Sequence, residues 1–267
     1  MANSPTGESV LERADRIPAA FTAGEPRLTG ARIGALAGRP PLPPPTLPPP
    51  TLPPATAHRL VRDTARRGRL DRVEGGRYVV GARLWELADR SSRELGPAQA
   101  ARPFLGDIHA VLRQHVQPGV VEGREVLLVE RLPHPRAVPV RSAGAGRLPP
   151  HLSATGLVLL THAPRDVQEA YLQGPVPAVT DFSPTDPRVL AEELERIRTA
   201  GHALRTGYLE PGTAGLAVPV RSRGEQVVAG PGVITPAGAP AARAGAIVQT
   251  VHTAAHGIRR TLRDAAR

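Results

Sequence analysis

Thr56-Ala57-His58-Arg59-Leu60-Val61-Arg62 opens the stretch of sequence that decides the fold, and Arg77-Tyr78-Val79-Val80-Gly81 closes it. The first run has the apolar spacing of a short helix, and the second is a strand that follows a Glu74-Gly75-Gly76 turn. A helix followed by a two-stranded hairpin is typical of winged helix-turn-helix domains, in which the helix enters the major groove of DNA. The stretch therefore predicts a domain that touches DNA.

The charge of this stretch agrees with that prediction. Residues 55–83 contain eight arginines against three acidic residues, and the whole chain carries a formal net charge of +10. All of its basic residues are arginine. An excess of positive charge favours an anionic partner, most commonly nucleic acid. Membrane surfaces and acidic proteins remain alternatives.

Several classes of protein are excluded by composition. The chain has no cysteine, which rules out disulfides and thiolate metal sites. No apolar run approaches the roughly 18–20 residues of a membrane span. The first twenty residues contain Glu8, Glu12 and Asp15 and lack an apolar centre, so they do not resemble a secretory signal. We expect a cytoplasmic protein with no membrane association.

The chain divides by pattern into a tail over residues 1–8, a winged helix-turn-helix domain over 9–88, a linker over 89–97 and a second domain over 98–267. Pro18 should shorten the first helix of the DNA-binding domain. Thr29 is a candidate N-cap for a second helix that ends near Ala37. Gly30 and Gly34 should weaken this helix, by about 1 kcal/mol each.

Residues 40–54 form a polyproline segment, with ten prolines in fifteen positions. They fall in the turn between the two helices of the helix-turn-helix. One interpretation is a ligand for an SH3-like partner. The simpler interpretation is an insertion tolerated in a surface loop, because lengthening a loop costs little free energy.

The second half of the chain alternates strands with helices. Its pattern predicts an α+β domain on an antiparallel sheet. Pro118 and Pro231 are expected to interrupt strand pairing. The predicted elements are a helix over 98–115, a strand over 126–129, an edge segment over 138–140, a helix over 155–162, a helix that Asp186 caps and Gly201 ends, a hairpin around 222–224, and a closing helix over 247–262.

Catalytic and metal-binding motifs are weak. His252 and His256 have the i, i+4 spacing of a metal pair, but no acidic residue of a zincin motif or third ligand accompanies them. Gly144-Ala145-Gly146 lacks the third glycine of a dinucleotide loop, and Asp107, His109 and His115 share a predicted helix without a nucleophile. We therefore expect no enzymatic activity, no cofactor and no bound metal.

Six short pieces follow one another in a fixed order along the chain: Ser9-Val10-Leu11-Glu12-Arg13-Ala14; Thr56-Ala57-His58-Arg59-Leu60; Gly76-Arg77-Tyr78 with Gly81 and Leu84; Leu148-Pro149 before Ala154-Thr155-Gly156; Ile197-Arg198 before Gly201-His202-Ala203; and Ala217-Val218-Pro219-Val220. In this order and spacing they resemble the IclR family of bacterial transcription regulators, from about Ser9 to Leu262. The resemblance implies an N-terminal winged helix-turn-helix and a C-terminal effector-binding domain related to GAF folds. It also implies dimers or tetramers that bind palindromic operators.

The resemblance assigns two sets of residues. In the DNA-binding set, Thr56 and Arg59 would lie at the groove and Arg62 on a phosphate. Arg77 would support the wing, and His58 is the fifth residue of the set. In the effector set, the backbone amides of Ala154 and Thr155 could hold a carboxylate, which would suit an organic acid. Arg205 could attract an anion, although a solvated loop arginine is the simpler interpretation. The full effector set is Ala154, Thr155, Gly156, Arg205, Thr206, Gly215, Gly232 and Ile234.

The leading interpretation is a DNA-binding transcriptional regulator whose C-terminal domain senses a small molecule. The alternative is a degenerate regulator that serves as a protein-binding scaffold through its polyproline loop. A third, an enzyme built on the C-terminal domain, would require turnover that histidine or aspartate substitutions abolish.

Overall fold

A computed structural model describes residues 9–21, 25–37, 52–89, 92–129, 131–140, 146–238 and 241–264. The chain forms two compact units, Met1–Arg93 and Glu94–Arg267. The division between them falls inside the segment predicted as a linker, residues 89–97. Each unit has its own apolar core.

The described part of the first unit forms four α-helices and a small antiparallel sheet. In chain order the elements are α1 (Val10–Ala19), β1 (Leu28–Thr29), α2 (Gly30–Leu36), α3 (Pro54–Arg66), β2 (Leu70–Val73), β3 (Arg77–Val80) and α4 (Ala82–Asp89). The strand order is β1-β3-β2. As predicted, α1 ends one residue after Pro18, and the Thr29 side chain caps α2 by accepting a hydrogen bond from the Arg32 amide.

The contact between α2 and α3 gives Gly34 a role that the sequence did not indicate. A Cβ atom at this position would lie 2.8 Å from the Ala57 Cβ, so the absence of a side chain lets the two helices approach closely. Gly34 therefore contributes to packing, in addition to weakening α2. The two helices meet although residues 37–53 separate them in the sequence.

Residues 40–51 of the polyproline segment lie outside the described residues, but its final residues belong to the domain. Leu52 is 7% exposed and belongs to the apolar core of the unit. Pro54 is the first residue of α3, where a missing N–H costs nothing. The end of the segment is thus part of the fold.

The second unit is a sheet with helices on both faces. Its elements are α5 (Ser92–Leu112), β4 (His115–Glu122), β5 (Glu125–Leu128), β6 (Gly146–Leu148), α6 (Ala154–Thr161), α7 (Arg165–Leu172), α8 (Pro187–Ala200), β7 (Ala203–Thr206), β8 (Thr213–Ala217), β9 (Val220–Arg221), β10 (Val227–Pro236) and α9 (Ala241–Asp264). Its strands pair antiparallel in the order β6-β5-β4-β10-β8-β7, and β9 also pairs with β10. One core cluster joins α5 and α9 to the sheet, and another joins α6 and α8 to it. The predicted α+β class with an antiparallel sheet is confirmed.

The structure of this unit differs from the prediction in three places. Helix α5 runs over Ser92–Leu112 rather than 98–115, so it begins inside the predicted linker and ends before Arg113, which has a positive φ of 53°. Residues 138–140 are not a strand, and β6 lies further along the chain. The structure also contains α7, whose eight residues were not predicted as a helix.

Pro118 and Pro231 do not interrupt the pairing of β4 with β10, contrary to expectation. They face each other in the register of β4 and β10. Neither has an N–H, so the pair must be one in which the N–H groups would point away from the partner strand. On their outer sides, the registers of β5 and β8 stop at Gly119 and Gly232, one residue short of each proline. On the β5 side, Val129 donates to the Pro118 carbonyl at 3.1 Å, and Pro118 has no N–H to donate in return, so the pairing with β5 stops there, as expected of a proline.

Candidate nucleic-acid interface and small-molecule cavity

Helix α3 presents a basic face to solvent. His58, Arg59 and Arg62 are exposed, whereas Thr56 is half-buried. The opposite face packs into the core through Ala57, Leu60, Val61 and Thr64. An apolar stripe on one side and cations on the other are what a helix needs to enter a DNA groove while anchored to its domain.

The charges on this face are available to a partner. Arg66 forms an ion pair with Asp63. In the part of the chain that the structure describes, no ion pair is found for Arg59, Arg62 or Arg77. An arginine without a carboxylate partner can bind a phosphate or a guanine edge without first breaking a salt bridge.

The hairpin of β2 and β3 forms the wing. Its tip contains Gly75 and Gly76, whose φ angles of 72° and 68° lie in the left-handed region that favours glycine. Arg77 follows directly and is exposed, as are Arg69 and Arg72. The sequence-based set omitted these last two, although their position beside the wing turn could have indicated them.

The second unit contains a cavity that six of the eight predicted effector residues line. Its volume is about 60 Å³, below the roughly 300–1,000 Å³ that is typical of ligand pockets. These residues come from α6, β7, β8 and β10, so the fold brings together positions up to 80 residues apart. They are Ala154, Thr155, Arg205, Gly215, Gly232 and Ile234.

Gly156 and Thr206 do not line the cavity, which corrects the effector set. The Gly156 amide donates to the Ser153 Oγ at 3.0 Å, and a Cβ at this position would lie 2.2 Å from the Pro150 carbonyl oxygen. Gly156 therefore serves the close packing of α6 against the preceding turn. Thr206 is exposed at the end of β7.

The N-terminus of α6 forms part of the cavity wall. Ala154 and Thr155 are the first two helical residues, and amides at these positions have no acceptor within their own helix. The Ser153 side chain caps the helix through the Gly156 amide instead. The positive end of the helix dipole adds to the attraction for an anion at this point.

Thr155 fits against the sheet because the facing strands have glycines. A Cβ at Gly119 would lie 2.8 Å from the Thr155 Cγ2, and one at Gly232 would lie 2.3 Å from its Oγ1. A Cβ at Gly230 would lie 3.4 Å from the Thr155 Cγ2. These glycines of β4 and β10 thus set the distance between α6 and the sheet.

Arg205 is neither a solvated loop residue nor a free cation. It lies on β7, its side chain is mostly buried, and it forms an ion pair with the Glu193 carboxylate of α8. Glu193 is also paired with Arg196, at 2.8 Å. The positive charge of Arg205 is therefore already compensated before any ligand arrives.

The cavity has further lining residues that the sequence analysis missed. The apolar ones are Leu128, Val140, Leu152, Leu209, Leu216 and Val233, and the polar ones are Gln117, Ser153, Tyr208, Glu210 and Thr213. Predominantly apolar walls with a few polar groups are typical of small-molecule sites. Tyr208 to Glu210 lie in a loop without periodicity, so no sequence pattern could have indicated them.

His252 is half-buried and His256 is exposed. The ring of His252 meets that of His202 edge-on, with 6.5 Å between centroids. Burial, together with the nearby His202 and His256, lowers the pKa of His252. Across the described ranges, no three histidine, aspartate or glutamate side chains are placed to share a metal ion. No helix within those ranges is long and apolar enough to cross a bilayer.

Comparisons with known proteins agree with this architecture. The family described as bacterial transcriptional regulator IclR, C-terminal, matches residues 92–260. The HTH-type transcriptional regulator KipR of Bacillus subtilis (strain 168) is 26% identical over 207 residues, which cover 77% of this chain and 78% of KipR.

Two solved structures are similar over almost the full length. An IclR homolog of Microbacterium hydrocarbonoxydans, complexed with 4-hydroxybenzoate, is 36% identical with a TM-score of 0.76, and the match covers 95% of this chain and 99% of that chain. An IclR homolog of Microbacterium sp. strain HM58-2 is 34% identical with a TM-score of 0.60, over 96% and 98% of the two chains. These matches support the regulator rather than the scaffold interpretation. The chain belongs to the IclR family of bacterial transcriptional regulators, and it is a DNA-binding regulator with a small-molecule effector domain.

Proposed function

We propose that this regulator binds a palindromic operator as a homodimer or tetramer, and that its effector is a small aromatic hydroxy acid. The observation that carries the choice of effector is the cavity of the second unit, with the first amides of α6 in its wall. Occupation of the cavity would change operator affinity if the ligand favours one arrangement of the protein over another.

The amides of Ala154 and Thr155 are the proposed carboxylate site. Arg205 is already paired with Glu193, so a ligand anion gains more from the two amides and the helix dipole than from this arginine. A carboxylate on N–H donors forms charge-assisted hydrogen bonds, which are about twice as strong as neutral ones.

The chemistry of the other lining residues suits a ring with a polar substituent. Leu128, Leu152 and Val233 offer apolar contact, while Tyr208 and Thr213 can hydrogen-bond a hydroxyl group. The Microbacterium hydrocarbonoxydans relative was crystallised with 4-hydroxybenzoate, a molecule of this class. That relative supports the class of ligand, and the site itself supports the position of its carboxylate.

Calorimetric titration of the full chain with 4-hydroxybenzoate and with uncharged 4-hydroxybenzamide tests this assignment. We expect the acid to bind at least about tenfold more tightly, because a hydrogen bond to a charged group contributes about 1.5–3 kcal/mol. Gly215→Val should abolish binding by filling the cavity, whereas Gly212→Val, at a position with no atom within 4 Å, should leave it unchanged. Equal affinity for the acid and the amide would show that the carboxylate site is wrong.

On the DNA side, we propose Thr56, His58, Arg59, Arg62 and Arg77 as the contacting residues. A gel-shift titration on the DNA upstream of the protein's own gene tests them. Arg59→Ala should cost about 1–3 kcal/mol of discrimination between bases. Arg62→Ala should lower affinity for all sequences and reduce the slope of log affinity against log salt by about 0.9.

Arg188→Ala is the matched control, because Arg188 is an exposed arginine on α8 of the second unit. It should leave both affinity and salt slope unchanged. If Arg188→Ala weakened binding as much as Arg59→Ala, the effect would be one of net charge and the assignment to α3 would fail.

A further inference from the structure

The segment between β5 and β6 forms part of the effector cavity. Leu132 is bridged to Val116 of β4 by two backbone hydrogen bonds, of 2.9 and 3.2 Å. Eight residues later, Val140 lines the cavity. The position of this wall therefore depends on what holds residues 132–138 against β4.

Three histidines hold this segment. The Nε2 of His109, on α5, donates to the Pro133 carbonyl at 3.1 Å. His115, at the start of β4, accepts a hydrogen bond from the His134 amide at its Nδ1 (3.1 Å) and donates from its Nε2 to the Val138 carbonyl (2.8 Å). The Nδ1 of His134 accepts from the Arg136 amide at 3.2 Å. We call these three side chains the histidine clasp.

The bonds of His115 require one protonation state. An amide N–H can only donate, so the Nδ1 that it meets must have no proton. A carbonyl oxygen can only accept, so the Nε2 must have one. Only the neutral ring with its proton on Nε2 makes both bonds. A protonated ring would direct N–H groups at both partners and lose the bond to the His134 amide.

The charges around the clasp disfavour protonation. Four basic residues act on His134: His109 from α5, Arg113 from the turn after α5, His115 from β4 and Arg136 from the segment itself. Burial and these basic groups lower the pKa of His134. On β10, the residue in register with His115 is Ile234, which is apolar. No carboxylate is among the described groups that act on His134, so each added proton increases repulsion within the clasp.

We propose that His115 is a positioning residue for the effector cavity, and that protonation of the histidine clasp releases the segment from Leu132 to Val138 and with it the Val140 wall. His115 is 8% exposed and does not itself line the cavity. Its effect on the ligand is indirect, because it sets the position of Val140. The consequence for the effector rests on the proposed function, but release of the segment can be measured without any ligand.

Hydrogen–deuterium exchange of the full-length protein tests release directly. The amides of Leu132, His134 and Arg136 donate the bonds that should be lost or weakened, and they lie in one peptide. Exchange is compared at about pH 7.5 and pH 5.5, with times scaled for the intrinsic exchange rate. In the wild type, loss of one hydrogen bond should raise the opening of this peptide roughly fivefold at the lower pH. The β4–β5 hairpin serves as the internal reference.

Two variants make the test specific. His115→Gln keeps a donor and an acceptor but does not titrate, so its exchange should depend much less on pH. His256→Gln, which replaces an exposed histidine on α9, should behave as the wild type. The affinity for 4-hydroxybenzoate should fall at the lower pH in the wild type and fall less in His115→Gln.

The outcomes separate the two proposals. Equal pH dependence of exchange in the wild type and His115→Gln would overturn the clasp, whether or not 4-hydroxybenzoate binds. If the peptide opens as expected but the acid does not bind at either pH, the clasp stands and the choice of effector fails. Misfolding of His115→Gln, visible as rapid exchange throughout the second unit at both pH values, would also overturn the proposal, because a positioning residue is not needed for the fold.

Discussion

Gly232 and Thr155 show how one missing side chain shapes the cavity. A Cβ at Gly232 would lie 2.3 Å from the Thr155 Oγ1 and 3.0 Å from the Gln117 carbonyl oxygen. Gly232→Ala should therefore push α6 away from the sheet and destabilise the protein by about 1–3 kcal/mol, the usual cost of overpacking. Urea unfolding followed by circular dichroism measures this loss.

The double variant Gly232→Ala/Thr155→Ala is the informative control. Removing the Thr155 hydroxyl and methyl groups vacates the space that the new Cβ needs, so the double variant should be more stable than the sum of the two single changes predicts. Strict additivity would mean that the contact between these positions does not limit the approach of α6.

Contacts such as that between Gly232 and Thr155 could not be predicted from the sequence. The DNA-facing arginines of α3 could be found because helical spacing alone separates exposed from buried positions. The resemblance indicated Gly232 and Thr155 as site residues, but not that they contact each other. That contact joins strand β10 to helix α6, which lies more than 70 residues earlier in the chain, and no local sequence pattern indicates it.

At the scale of elements, the packing of α2 on α3 gives a testable contrast between two helical glycines. Alanine is favoured over glycine inside a helix by about 1 kcal/mol. At Gly34, however, a Cβ would lie 2.8 Å from the Ala57 Cβ. Gly34→Ala should therefore lower the thermal unfolding temperature and weaken operator binding, because α3 would be displaced from the core.

Gly106→Ala is the matched change in α5, where a Cβ would meet no atom within 4 Å. Here only the helix preference acts, so the variant should be as stable as the wild type or more so. An equal gain in stability for Gly34→Ala would refute the close contact of α2 with α3.

Element ends were predicted well where local chemistry sets them. Asp186 caps α8 through the Arg188 amide, and Gly201 ends it with a φ of 72°. The start of α5 was predicted poorly, because Gly96 and Pro97, which were assigned to the linker, lie inside the helix. The effect of Pro118 and Pro231 was predicted only in part. It depends on which neighbouring strand the missing N–H groups would face, and a single sequence does not show this.

At the scale of the whole molecule, four described histidines make stability depend on pH. Burial is the main cause that lowers the pKa of each from its usual value of 6.5: His134, His151, His162 and His252. His151 is fully buried, with its Nδ1 2.6 Å from the Tyr171 hydroxyl and its Nε2 2.8 Å from the Pro177 carbonyl. Burial raises the pKa of Tyr171 to about 12, so its hydroxyl remains a donor to His151 at neutral pH.

The sign of the effect follows from proton binding. Below about pH 6.5 these histidines bind protons in the unfolded chain more readily than in the folded protein. Their contribution to the free energy of unfolding is therefore fully present above this pH and decreases as the pH falls further. Urea unfolding at about pH 7.5 and pH 5.5 measures the loss. His151→Gln should make the decline shallower, whereas His256→Gln should not. A free energy of unfolding that is equal at both pH values would contradict this account.

Trp85 has a practical consequence of a different kind. It is the only tryptophan of the chain, it is 70% exposed, and it lies on α4 directly after the wing. Intrinsic fluorescence excited at the indole band therefore comes from a single site in the DNA-binding unit, and the effector unit contributes none. An exposed indole emits at long wavelength and shifts to shorter wavelength when it is covered. The unmodified protein thus has its own optical reporter for whatever comes to lie on α4, whether a second protomer or a duplex.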